Sequence, residues 1–213
     1  MKKLDLKKYW LVDRFVDKEV AEQCFYRLFM HYDKPERHYH NLDHIRSLLV
    51  HWESFKKQLD KPELVLWAIY YHDIIYEVKR RDNEQQSARY AQDDFRFTDI
   101  KPEDQAAIIA MILATEQHLP SAEAANDLKY FLDFDLAILG VVRDEYQAYA
   151  QKIREEYVVY PDEVYFPGRK RVLERLLSRE YLFQTKMFRQ KYEGQARENI
   201  GWEIRRLGEG ETW

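Results

Sequence analysis

Apolar residues recur along this chain at spacings of three and four rather than two, the period of a helix face and not of a strand. Prolines 35, 62, 102, 120, 161 and 167 punctuate that pattern at helix-length intervals, so the chain is expected to be all-α. A first helix is predicted over Lys18 to Tyr32, with Val20, Cys24, Leu28 and His31 on one stripe, followed by a turn at Asp33-Lys34-Pro35. Residues Asn41 to Leu59 repeat Leu42, Ile45, Leu48/Leu49, Trp52 and Phe55 on one face. Asp60 can cap the next helix, with Pro62 in its first turn and Glu63 completing a D-x-x-E box. That helix carries the run LVLWAIYYHDIIY, apolar on every side and therefore central to the core.

Further helices are predicted at Glu84–Phe95 after Asp82, at Glu103–Glu116 after Pro102, and at Asp127–Leu139, closing near Gly140. The pattern continues with Asp144–Tyr157, Gly168–Tyr192 and Gln195–Leu207, leaving YPDEVYFPG as an exposed connection between the first two. No linker, repeat or composition shift divides the chain. The expectation is a single compact multi-helix domain over residues 1–213, with C-terminal helices at about 168–207 packed on the half that carries the histidines.

Composition narrows the chemistry. The first of six glycines is Gly140, so the first 139 residues can hide neither a phosphate-cradling glycine loop nor a dinucleotide fingerprint. All seven histidines lie before residue 119, which assigns any histidine chemistry to that part of the chain. A net charge of −4 is not the basic balance of a general nucleic-acid binder. The arginine-rich run GRKRVLERLLSR reads as a solvated helix face opposite Val172, Leu173, Leu176 and Leu177. Cys24, the one cysteine, excludes an internal disulfide and a cysteine-rich zinc site and suits a reducing compartment. MKKLDLKKYW is followed by no unbroken apolar run, so no membrane partner is expected and the cytoplasm is the default location.

Polar residues then stand out against apolar helices. Burying adjacent His72 and Asp73 costs several kcal/mol in order of magnitude unless something pairs with them. A metal would supply that partner; a plain His-Asp hydrogen bond is the structural alternative. In YFLDFDLAILG, Asp133 and Asp135 project about 200° apart on a helix, so one can face a site while the other needs a different partner. In RHYHNLDH, His40 and His44 stand four apart, which places their β-carbons about 6 Å apart on one helix face.

These three features together resemble the HD superfamily of metal-dependent phosphohydrolases, and YHNLDH is similar to the YHN-x-x-H element of cyclic-nucleotide phosphodiesterases. The resemblance is closest to a bacterial group of predicted HD phosphohydrolases. It is carried by RHYHNLDHI, YYHDIIYE, NEQQSA, ATEQH, FLDFDLAILG and IREEY, over roughly residues 9–207. It implies an HD-domain-like fold, with His44, His72, Asp73 and Asp135 as metal ligands and His40 as the general acid. Asp135 is preferred over Asp133 because FDLA looks like the context of the last ligand in related families. Asp73 is the residue the resemblance would have bridge to a second metal or orient water.

Such donors suit manganese, magnesium, iron, cobalt, nickel or zinc. The implied reaction is hydrolysis of a small phosphorylated substrate: a phosphomonoester, a phosphodiester or a nucleotide. Arg37 is a candidate for the phosphate oxygens, and His118 and Glu84 are candidates for a second metal or the substrate. The alternatives are a metal-stabilised regulatory or binding module without turnover, and an HD-type di-iron oxygenase using His118 and Glu84.

Overall fold

The computed structural model describes residues 6–121 and 123–210, and over them the protein is all-α. The helices are α1 (Lys18–Tyr32), α2 (Leu42–Phe55), α3 (Pro62–Tyr71), α4 (Asn83–Phe95), α5 (Pro102–Ala114), α6 (Asn126–Leu136), α7 (Arg143–Glu156), α8 (Asp162–Leu177) and α9 (Lys186–Glu209). Among the described residues, no helix is long and apolar enough to cross a membrane. The chain forms two compact units, Met1–Leu132 and Asp133–Trp213, with the boundary falling inside α6.

In the first unit, the Asp17 carboxylate accepts the N–H groups of Glu19 and Val20 and starts α1, which buries Ala21, Cys24, Leu28 and Tyr32. The central element is α3, buried at every position from Leu64 to Tyr71 and packed against α2, α4 and α5. A helix apolar on all sides has no stable alternative to this position. Its N-terminus is capped from a distance. Asp127 accepts the N–H groups of Asp60 and Lys61, both at 2.7 Å, whereas the expected Asp60 capping box does not form and Lys61 takes the N-cap position. Asp94 joins three helices by accepting from Arg27 on α1 at 2.6 Å and from the Tyr71 hydroxyl on α3 at 2.8 Å.

The second unit departs most from the periodicity. The segment expected as an exposed connection is the first half of α8, with Pro167 inside the helix. Pro161 precedes it and the acids Asp162 and Glu163 fill its first turn, favourable at the positive end of a helix. Proline removes one hydrogen bond to the carbonyl four residues back. Arg154 braces this start through the carbonyls of Tyr157 and Tyr160 and the Asp162 carboxylate. The helix expected over 168–192 instead breaks after Leu177 and resumes at Lys186. Side chains from elsewhere hold the break open: Glu193 accepts from Leu182 and Phe183, and Asp133 accepts from Gln184 and Thr185.

Between α6 and α7, a 3-10 turn (Ala137–Gly140) lies against α9. Asn199 donates to the carbonyls of Leu139 and Val141, at 2.9 and 2.8 Å. Gly140 approaches so closely that an added Cβ would lie 2.6 Å from the Tyr192 Cβ and 2.7 Å from its carbonyl oxygen. Backbone must move to admit it. Gly140→Ala is therefore expected to destabilise the second unit by about 1–3 kcal/mol, read as a lower urea midpoint. An unchanged midpoint would show that this approach is not close in solution.

Candidate metal centre

The site begins with the way α2 starts and α3 ends. Asn41 caps α2 by accepting from Asp43 N–H, and its amide nitrogen donates to the carbonyls of Arg37 and His38, each at 3.0 Å. This turn leads His44 into the first turn of α2, facing inward. On the other side α3 closes at His72, and Asp73 follows directly.

The two termini place three donor atoms together. His44 Nε2 and His72 Nε2 are 3.1 Å apart, His72 Nε2 is 3.2 Å from Asp73 Oδ2, and His44 Nε2 is 3.7 Å from the same oxygen. Ligands bound about 2.0–2.2 Å from a metal such as zinc lie roughly 3–3.5 Å from one another at tetrahedral or octahedral angles; two edges of this triangle have that length, and the third, at 3.7 Å, is slightly wider. His72 Nδ1 lies 3.0 Å from the Ile69 carbonyl oxygen. A carbonyl only accepts, so the proton sits on Nδ1 and the Nε2 lone pair faces His44 and Asp73. The imidazoles are buried, at 2% and 1% side-chain exposure, while Asp73 at 15% is the open edge. The group fits a divalent cation in donor type, spacing and orientation.

Around this triangle, the His40 ring stacks on Tyr76 at 3.9 Å and stands 5.8 Å from the His44 ring. Half-buried Glu84 has its carboxyl pKa raised, first by burial and then by the negative charges of Asp73 and Glu116, against the pull of His118. Those four residues therefore share an electrostatic neighbourhood. Glu116, which the sequence had not singled out, accepts a hydrogen bond from Gln85. His118 has left-handed backbone, φ 48°, in the turn that closes α5, a conformation that histidine tolerates better than most residues.

Arg37 takes a different place from the one expected. Its guanidinium is buried and bonded to main-chain carbonyls, not presented to solvent as a phosphate contact requires.

The two aspartates of α6 both belong to the second unit. Asp133 is fully buried and serves the 182–185 break; burial pushes its carboxyl up to about 6, against the donors at Gln184 and Thr185. Asp135 is half-buried, and its charge acts on Tyr149, whose phenol is raised mainly by burial.

Compared with family models, curated proteins and solved structures, the chain matches none.

Proposed function

We propose that this protein is a metal-dependent hydrolase of small phosphate esters, of HD type, with His44, His72 and Asp73 as its metal ligands. The observation that carries the proposal is the triangle of two imidazole nitrogens and one carboxylate oxygen, with the His72 lone pair directed into it. A divalent cation held there supplies an activated water near neutral pH and a charge that polarises a phosphoryl oxygen.

The remaining steps fall to the chain. Ile69 keeps His72 in the tautomer that leaves Nε2 unprotonated, and the more open Asp73 marks the side from which a substrate approaches. His40 carries an imidazole whose ring stands 5.8 Å from that of His44, and a ring nitrogen there can hold a proton and deliver it to the departing alkoxide. Glu84 and His118 stand as ligands for a second metal or as substrate contacts. A second reading is oxygen chemistry at two irons, with Glu84 and His118 as the additional ligands. Two irons per chain with substrate-dependent oxygen consumption would select that reading.

The test is metal analysis of the purified protein together with a phosphatase and nucleotide panel in added manganese, magnesium or cobalt. His40→Ala is expected to retain metal while losing about 10²- to 10⁴-fold in turnover, the usual range for a general acid. If His40→Ala loses the metal and His44→Ala keeps it, the roles of the pair are reversed. A folded, metal-loaded protein inactive across the panel would support a regulatory module instead.

A further inference from the structure

Arg37 is 4% exposed, and its guanidinium donates to main chain: Nη1 to the carbonyls of His40 at 3.2 Å and Asp73 at 2.7 Å, Nη2 to that of Ile74 at 2.8 Å. Its Nε is buried with no acceptor. The rings of Tyr32 and Tyr76 stand 5.0 and 6.0 Å from its central carbon. Three of five donors are thus committed to carbonyls, and the group lies among aromatic rings in a buried residue rather than at an exposed surface.

What those bonds hold is the second half of the metal triangle. The last carbonyls of a helix have no partner within it, and a cation is favoured at that end. Arg37 places its cation just beyond the end of α3, on the carbonyls of Asp73 and Ile74 that follow it. The Tyr32 hydroxyl accepts the Asp73 N–H at 3.2 Å and donates to the Tyr70 carbonyl at 3.1 Å. Side chains therefore grip the Asp73 main chain at both its N–H and its C=O. Arg37 is itself fixed by its N–H to the Lys34 carbonyl and by Asn41, the α2 cap, at its own carbonyl.

We infer that Arg37 is a positioning residue: its guanidinium locks the Asp73–Ile74 main chain to the turn carrying His40 and so sets the spacing of Asp73 from His44 and His72. The inference rests on the metal-centre proposal. It predicts effects on metal geometry rather than on substrate capture.

The experiment uses the full chain with cobalt(II) as the probe, comparing wild type, Arg37→Gln and Arg37→Lys by calorimetry and by the visible cobalt spectrum, then by kinetics on p-nitrophenyl phosphate. Groups that orient metal ligands typically contribute about 10- to 100-fold in affinity. Arg37→Gln is expected to lose affinity in that range, to change the cobalt spectrum and to lower kcat with KM within about threefold. Arg37→Lys keeps the charge without the planar fork and is expected to behave the same way; it decides the question if Arg37→Gln does not fold. Variants that bind cobalt as tightly as wild type with the same spectrum, and differ only by a raised KM, would overturn the inference and leave the metal centre standing. A wild type that binds no cobalt overturns both.

Discussion

His72→Ala is expected to abolish metal binding and metal-dependent turnover together, the largest functional loss from any single side chain in this protein. His72 supplies one vertex of the triangle and lies on both of its shortest edges, 3.1 Å to His44 and 3.2 Å to Asp73. Without it only two donors remain in the group, and the cation loses a ligand whose tautomer is fixed by a main-chain carbonyl. Groups that merely orient ligands cost about 10- to 100-fold in affinity; removing a ligand should exceed that. Thermal unfolding offers a second readout. At 100 times the dissociation constant a bound ion stabilises the native state by about 2.7 kcal/mol, so added manganese or cobalt should raise the wild-type midpoint and leave His72→Ala unmoved. His38→Ala, altering an exposed residue of the nearby turn, should respond like wild type. A His72→Ala protein that binds and is stabilised like wild type would end the metal-centre proposal.

That site was legible because its residues break a local rule. His72 and Asp73 interrupt a run that is otherwise apolar, and the cost of burying an imidazole beside a carboxylate by itself demands a partner. His44 joined them through its spacing from His40 and through the resemblance, and the structure brings these three together. The part that was not legible is what supports them. Arg37 lies in a polar stretch where a surface role was as reasonable as any, and its carbonyl partners at Asp73 and Ile74 lie 36 and 37 residues away.

The same division runs through the fold. The α1 limits at Lys18 and Tyr32 follow from a cap and an apolar stripe in adjacent residues, which periodicity reads well. The break at 178–185 does not, since it is held by Asp133, some fifty residues earlier in sequence, and by Glu193 from the following helix. The start of α3 is similar: Asp60 was the local candidate for a cap, but Asp127 performs the task from 67 residues away. In α8, the expected apolar face opposite the arginines is also displaced. Tyr165 and Leu173 are the buried positions, Val172 is 48% exposed, and Arg169 lies inward between them.

The buried Arg169 leads to the largest expected loss of stability. Glu203 on α9, fully buried, accepts from Arg169 Nε at 2.8 Å and Nη2 at 3.2 Å, and from the hydroxyl of Tyr146 on α7. Arg169 also reaches the Tyr149 hydroxyl at 3.3 Å, so one charged pair joins α7, α8 and α9. Breaking a buried pair from one side strands the other charge, at a typical cost of about 3–5 kcal/mol, whereas replacing both members with apolar groups of similar volume is often neutral or better. Glu203→Ala is therefore expected to destabilise the second unit by about 3–5 kcal/mol, and Glu203→Leu combined with Arg169→Met to recover much of that loss. Recovery should be incomplete, because the double variant leaves the Tyr146 and Tyr149 hydroxyls without these partners, at about 1–3 kcal/mol for each that finds no replacement. Hydrogen exchange of peptides from α7, α8 and α9 reads the effect directly: protection should fall in all three for Glu203→Ala and return in part for the double variant. If the single variant exchanged no faster than wild type, or the double variant proved worse than the single one, the pair would not be what couples these helices.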